Sequence, residues 1–425
     1  MVIKSPALGA PSSLRRVHRS LALREIFHAP GISRVELADR LGLSSMAIGR
    51  IVRELWHAGL IGETEPAGVA LGRGRPASSL ELLGDGAFVV GVVLSAYAQE
   101  ATLLDLRGQA VANRPIQLDD ISDGERTVAQ TCAAIDQLID AAGVDRRRVA
   151  GVGFCVAANV DTERRLVMGG GYLGWEPLDL GASAARALAL PVSVEKVADT
   201  LIRAESFFGC ARESRAVVLL HAATTLGMSF SFNGERFHGA HFHAGRIGHF
   251  PARRTRLICS CGQSNCLNCS ASGWSVLAQL GVLDSPAYRP EQVRHYAREI
   301  HKRVDPAAGG EDVDARTARV LGKAGAALAQ ALVYLELTFD PDLVILAGSL
   351  ARNEAYFTGF LEALRAAAPS EPDTECKIVR GGITPVHGAG LVALLDHVLS
   401  PSLDLRGLAG EAFDDAEAAE RRGHG

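Results

Sequence analysis

The chain has 425 residues, with 44 Lys and Arg against 48 Asp and Glu and a net charge of −4. That length supports two or three domains and a large core, and that charge excludes a protein that coats nucleic acid along its whole surface. The N-terminus has no apolar run ahead of a small-residue cleavage site, and no stretch reads as long and apolar enough to span a bilayer.

Residues 1–13, with Pro6 and Pro11 among small residues, are expected as a flexible arm. Residues 14–82 read as a winged helix-turn-helix. Leu23, Ile26 and Phe27 give a first helix its core face. Leu37 and Leu41 share one face of a second. Gly42 supplies a turn position that disfavours side chains, and Ser44 is a natural N-cap. In the third helix Ile48, Ile51, Val52 and Leu55 recur at helical spacing as a buried stripe. Ser45, Met46, Gly49, Arg50 and Arg53 occupy the opposite face, which suits a major groove, with small residues on base edges and arginines on bases or phosphates. Ser33 and Arg34 are expected as backbone anchors, and Ser44 is also expected at the DNA. Residues 60–64 and 79–82 read as two strands flanking Gly72-Arg73-Gly74-Arg75-Pro76, a wing in which Arg73 and Arg75 would reach phosphates or a narrow minor groove. A helical hairpin with a solvated basic face has the same pattern; the preceding helix and the wing favour DNA binding. Up to residue 79 there are eleven Lys or Arg against six Asp or Glu, so a basic head sits on an acidic body and its DNA contacts should be salt-dependent.

Leu83-Gly84-Asp85-Gly86 reads as a joint. Beyond it, 87–400 form an α/β body. A meander is expected over 88–94, 101–105 and 110–112, then a helix over 125–142 and a buried strand over 149–154. Later strands fall at 216–220 and 343–347, with a long helix over 315–337. Residues 401–425 turn acidic and small and are expected to be a disordered tail.

The expected compartment is the cytoplasm, where thiols stay reduced, so the eight cysteines are expected as metal ligands or buried thiols. Cys259, Cys261, Cys266 and Cys269 fall within eleven residues, downstream of His249. Such a set outlines a tetrahedral structural zinc site, and the spacings do not match common iron–sulfur motifs. Five donors compete for four positions, leaving either His249 or Cys269 out.

These segments resemble the ROK family (repressors, uncharacterised reading frames and sugar kinases), specifically its winged-helix regulators of sugar metabolism. The resemblance rests on residues 32–38, the 72–76 wing, Leu173-Gly174-Trp175, Gly245-Arg246-Ile247-Gly248-His249 and the Cys-x-Cys-Gly-x-x-x-Cys-Leu run. It implies an actin-like, ribonuclease H-like two-lobed body, a homodimer or homotetramer, and zinc on His249, Cys259, Cys261 and Cys266. Kinase members of the family hold ATP phosphates on Asp-x-Gly-Gly-Thr and Gly-Thr-Gly-x-Gly-Gly-Gly loops and use an aspartate base. Here the matching runs are Val93-Leu94-Ser95-Ala96-Tyr97, Ala223-Thr224-Thr225-Leu226-Gly227-Met228-Ser229 and, at the base, Val197. Valine accepts no proton, so no kinase activity is expected.

Positions matched to the family's sugar contacts are Tyr172, Lys196, Arg246, His249 and Asn268. Carboxylates are lost and cations gained, which points to an anionic effector such as a sugar phosphate or sugar acid rather than a neutral sugar. Two other readings stay open: Lys196 and Arg246 are solvated or paired with Glu195 and Asp199, or the pocket is vestigial. The overall expectation is a non-enzymatic, DNA-binding regulator of carbohydrate-related genes that takes a double-stranded operator and does not engage a membrane. The alternatives are a sugar kinase with a DNA-binding head and a regulator controlled by a protein partner.

Overall fold

The computed structural model describes residues 11–64, 79–118, 120–169, 173–304, 313–367 and 376–409. Helix α1 (Pro11–His28) begins on a proline, which suits a first helical turn because that position needs no N–H donor. Residues 11–13, expected in a flexible arm, are therefore helical, and residues 1–10 lie outside the described residues. Strand β1 (Ile32–Ser33), helices α2 (Arg34–Leu41) and α3 (Ser45–His57), and strands β2 (Ile61–Thr64) and β3 (Ser79–Leu82) follow. Strand β3 lies between β1 and β2 in an antiparallel sheet. Ile48, Ile51, Val52 and Leu55 of α3 are buried, so the stripe read from spacing is the one that packs.

The body repeats one sheet topology. Strands β4 (Phe88–Leu94), β5 (Gln99–Asp105) and β6 (Ala110–Pro115) form an antiparallel meander. Helix α4 (Gly124–Ala142) leads to β7 (Val149–Val156), parallel to β4. A small hairpin of β8 (Val160–Asp161) and β9 (Leu166–Val167), then helix α5 (Leu180–Leu188), precede β10 (Val192–Lys196), parallel to β7. Helix α6 (Val197–Phe208) leads into the second lobe.

There β11 (Ala216–Ala222), β12 (Leu226–Phe232) and β13 (Glu235–Arg236) again form a meander. Helices α7 (Asn268–Ala271), α8 (Gly273–Leu280), α9 (Val293–Val304) and α10 (Ala315–Phe339) come before β14 (Leu343–Ala347), parallel to β11. Helices α11 (Ser349–Arg352) and α12 (Glu354–Ala367) lead to β15 (Lys377–Arg380), parallel to β14. Helices α13 (Pro385–Ala393) and α14 (Leu405–Ala409) close the described chain. The two orders, β6-β5-β4-β7-β10 and β13-β12-β11-β14-β15, are the same arrangement.

Every residue of β4 is buried, as expected of a strand covered on both faces. Helix α13 lies so close to it that a Cβ on Gly91 would sit 2.3 Å from the Gly390 nitrogen. Helix α10 corrects one expectation: its 25 residues are long and apolar enough, by length and composition, to cross a bilayer. It buries Leu321, Leu328 and Leu332 in the second lobe, as the core helix of a globular domain does.

The head and body share one apolar core. Leu23 and Ile26 of α1 cluster with Ala204, Phe207, Leu394, Leu403 and Leu405. Arginines seal the seam by donating to main-chain carbonyls: Arg19 to Leu403 at 2.8 Å, Arg24 to Leu399 at 2.8 Å, and Arg107 to Leu82 at 2.9 Å. Arg148 reaches Ala58 at 3.0 Å and Gly86 at 2.9 Å. The expected joint at 83–86 is thus a short 3-10 turn fastened on both sides. The expected tail also starts too early, because Leu403, Leu405 and Leu408 are buried against the head, where apolar burial outweighs the polar composition around them. Residues 410–425 lie outside the described set. Leu405→Ala should cost about 2–5 kcal/mol in urea unfolding of the full chain.

Candidate nucleic-acid interface and metal centre

The α2–α3 pair is held in shape by local hydrogen bonds. Ser33 Oγ accepts from the Glu36 N–H at 3.2 Å, and the Glu36 carboxylate accepts from the Ser33 N–H at 2.9 Å, a reciprocal capping box. Hydrogen bonds from the Ser33 backbone and then its side chain hold the Glu36 carboxyl below its ordinary range. Gly42 takes φ 63°, and Ser44 Oγ accepts from the Ala47 N–H at 3.3 Å. Ser33 and Ser44, both expected at DNA, therefore serve as helix caps.

The outer face of α3 carries Ser45, Met46, Arg50 and Arg53 in exposed positions, with Gly49 half-buried. Met46 is 79% exposed, a large apolar side chain standing in solvent on a polar face. Trp56, 56% exposed at the far end of α3, was not singled out from sequence; its place one turn beyond Arg53 was the available signal. Arg34, expected as a backbone anchor, pairs with Glu63 of β2, its Nε 2.8 Å from the carboxylate. Other head arginines are engaged too: Arg15 with Glu54, Arg40 with Glu25 at 3.3 Å, and Arg19 and Arg24 with carbonyls of the body. Much of the basic surplus thus neutralises or anchors the head itself. Wing residues Arg73 and Arg75 lie outside the described residues.

The second cluster is built on loops. A 3-10 turn over Ile247–His249 presents the His249 ring. Gly262, at φ 82°, lets its N–H return to the Cys259 carbonyl at 2.8 Å, turning the chain between two cysteines. His249 Nδ1 lies 3.6 Å from Cys259 Sγ and 3.9 Å from Cys266 Sγ, and the Cys261 and Cys266 sulfurs are 3.3 Å apart. The four donor atoms all lie within 4.8 Å of one another. A zinc tetrahedron with bonds of about 2.3 Å requires sulfur separations near about 3.8 Å, so the donor set fits that ion. Cys269 falls outside this quartet, its Sγ 3.7 Å from the Leu257 carbonyl, and the quartet includes His249. A hydrogen bond with Cys269 draws the Cys259 thiol well down, while burial, and then neighbouring Cys261, push Cys266 up. Sulfurs this close do not all ionise without a cation among them.

The expected effector residues that are described gather along 244–249, but most are already engaged. Lys196, at the start of α6, donates to the Ala244 carbonyl at 2.5 Å and lies 3.6 Å from Asp199. Burial works against the Asp199 charge, yet the His238 hydrogen bond, Lys196, Arg236 and the Ser229 hydroxyl together hold its carboxyl below the usual range. Glu195 is taken by Arg203 and Arg236, both at 2.8 Å. Asn268 is buried and accepts from the Leu226 N–H at 3.0 Å. His249 faces the sulfurs, Tyr172 lies outside the described residues, and Arg246 stands exposed.

The two runs aligned with phosphate loops flank one cavity between the lobes. Three amides in and beside these runs are occupied locally: Ser95 N–H donates to the Ala98 carbonyl at 2.9 Å, Ala98 N–H to Ser95 Oγ at 3.0 Å, and Ala223 N–H to the Thr225 carbonyl at 3.2 Å.

A model of the ROK family matches residues 89–389. The chain belongs to the ROK family. A second model, described as winged helix-turn-helix DNA-binding, matches residues 21–61. Among curated relatives, the xylose repressor of Bacillus subtilis is 24% identical over 270 residues, 63% of this chain and 68% of its own. The DNA-binding transcriptional dual regulator NagC of Escherichia coli is 21% identical over 394 residues, 92% of this chain and 95% of its own. Among solved structures, a ROK family transcriptional regulator described as a homolog of the E. coli MLC protein aligns with a TM-score of 0.71. It is 22% identical and covers 95% of this chain and 100% of its own. A ROK glucokinase from Streptomyces griseus, solved with glucose and AMPPNP, aligns at 0.59 and 21% identity over 73% of this ROK chain and 100% of its own. These likenesses place a winged helix-turn-helix ahead of a ROK body, the fold read from the motifs.

The buried Lys196–Asp199 pair yields a stability test. Asp199→Ala strands a cation and should cost about 3–5 kcal/mol in urea unfolding, much of it restored by adding Lys196→Met. Because the Asp199 carboxyl is held low, its contribution is present above about pH 4 and should be lost as pH falls through its depressed native value.

Proposed function

We propose that the protein is a sequence-specific, DNA-binding transcriptional repressor of carbohydrate-related genes, acting in the cytoplasm. The observation that carries this reading is the outer face of α3. A capped, rigid helix presents Ser45, Met46, Arg50 and Arg53 outward while its other face is sealed in the core. That geometry suits insertion into a major groove, with the small residues on base edges and the arginines on guanines or phosphates. The names of the xylose repressor and NagC support the regulatory role and the sugar connection. The body is proposed to dimerise or form a homotetramer, placing two recognition helices on a pseudo-palindromic operator. Zinc is proposed on His249, Cys259, Cys261 and Cys266 as a structural ion that ties the 247–249 turn to the cysteine loop.

The body is proposed to lack kinase activity. Phosphate binding on a loop requires free backbone N–H groups, and those of Ser95, Ala98 and Ala223 bond within their own loops. Val197 at the base position has no proton-accepting group.

Effector control is proposed to run through α6. Its N-cap Lys196 and first-turn Asp199 lie beside the 244–249 segment, and its last residues, Phe207 and Phe208, pack on α1. The effector proposed is a sugar phosphate or sugar acid, with Arg246 as the exposed cation that receives it. Calorimetric titration should give binding of phosphorylated or acidic sugars, and tight binding of neutral sugar alone would refute the anionic reading.

The DNA assignment is tested by fluorescence anisotropy on fragments of the protein's own upstream region. Arg50→Ala with Arg53→Ala should weaken specific binding at least about 100-fold, from about 1–3 kcal/mol at each lost base contact, while leaving the thermal transition unchanged. Unchanged affinity contradicts the assignment. Elemental analysis should find one zinc per chain and much less in Cys261→Ser, with a lower melting temperature on chelation. A phosphotransfer assay over a broad sugar panel should consume no nucleotide.

A further inference from the structure

Between the lobes lies a cavity of about 450 Å³, within the size range of small-molecule sites. Its first-lobe wall is the face of the β4–β5–β6 meander. Glu100 pairs with Val93 and Thr102 with Asn113, so antiparallel register sets these four side chains on one side of the sheet. Its second-lobe wall comes from β11 and α11, which bring His221 and Arg352 to the same space. Helix α9 closes a third side with Val293 and Ala297, one turn apart on an apolar stripe.

The two main walls differ in charge. Glu100 has burial as the cause of its raised carboxyl pKa, with no hydrogen bond or cation offsetting it. On the opposite wall, burial and then the neighbouring Arg352 guanidinium hold the His221 imidazole down to about 4. It is therefore neutral at pH 7, with one ring nitrogen a donor and the other an acceptor. Between the walls the surface is largely apolar, formed by Val93, Val197, Val293 and Ala297. A polyphosphate would meet the Glu100 carboxyl on the far wall.

We propose that this inter-lobe cavity is a second ligand site, which takes a small organic monoacid with an apolar body and a hydrogen-bond donor at its far end. The carboxylate faces Arg352 and His221, the body lies over Val293 and Ala297, and the donor faces Glu100 and Asn113. This site is distinct from the sugar positions along 244–249, and the proposal does not depend on the DNA-binding role.

The test is calorimetric titration of the full-length, zinc-loaded protein with three probes: 4-hydroxyphenylacetate, 4-aminophenylacetate and 6-hydroxyhexanoate. At least one should saturate at one per chain. The methyl ester of that probe should bind at least about 10-fold more weakly, and excess ATP or D-xylose should not displace it. Ala297→Trp, which fills the cavity, should abolish binding while zinc content is unchanged. Arg352→Gln, on an exposed position, should weaken the acid about 10-fold and leave the ester unaffected, which keeps the test decisive should Ala297→Trp fail to fold. No binding of any of the three acids, equal binding of acid and ester, or displacement by ATP or xylose would overturn the proposal.

Discussion

The contact on which the rest of the structure depends is the seat of α1 on the C-terminal end of α6. Phe27 packs edge-on against Phe208 at 5.1 Å, His28 lies 4.6 Å from Phe207, and the Arg24 guanidinium stands 5.4 Å over the Phe207 ring. Around these rings Arg19 and Arg24 donate to carbonyls of the chain's last described segment. Apolar burial supplies the adhesion, and the arginine hydrogen bonds satisfy main-chain groups that burial would otherwise leave unpaired. A helix-turn-helix that hung on a free linker would take any orientation. This one has its recognition face aimed by the body.

The same contact gives the body a way to act on the head. Helix α6 has 12 residues, about 18 Å at 1.5 Å per residue, and behaves as a stiff rod over that length. At one end it carries the Lys196–Asp199 pair and at the other the aromatic seat of α1. A ligand that prefers one setting of the first turn biases the position of the last. The buried network of Arg203 with Glu195 and Asp396, joined by Ser193 at 2.7 Å from Asp396, fixes the middle of the rod to both β10 and the segment after α13. In the proposed effector control, a shift of the first turn would be carried along α6 as a unit.

How much of this was legible from residue order follows the range of each interaction. The helix-turn-helix was readable because its signals are local: Ser33 to Glu36, Gly42, Ser44 to Ala47, and a stripe at 48, 51, 52 and 55. The cysteine cluster was readable from spacing, although the choice of His249 over Cys269 needed the fold of the loop. Contacts between distant residues were not readable. Arg19 and Arg24 count toward the basic surplus of the head, yet their acceptors lie beyond residue 398. Residues 401–409 looked like a solvated tail because three buried leucines were diluted by charge. The repeated sheet topology leaves no obvious sequence repeat, since pairing order is set by crossover helices of very different lengths. Lys196 left two readings open from sequence, a cation gained at a ligand site or a partner of Glu195 or Asp199, and the structure pairs it with Asp199 at close sequence range.

The central claim is that an aimed α3 reads specific DNA. Genome-wide mapping of occupancy by the intact protein, run beside its Arg50→Ala, Arg53→Ala variant, addresses it most directly. The account predicts a small number of discrete sites that share a two-fold-related motif, lie near carbohydrate-related genes, and vanish in the variant. Occupancy that is uniform along the chromosome, or identical for the two proteins, would contradict it.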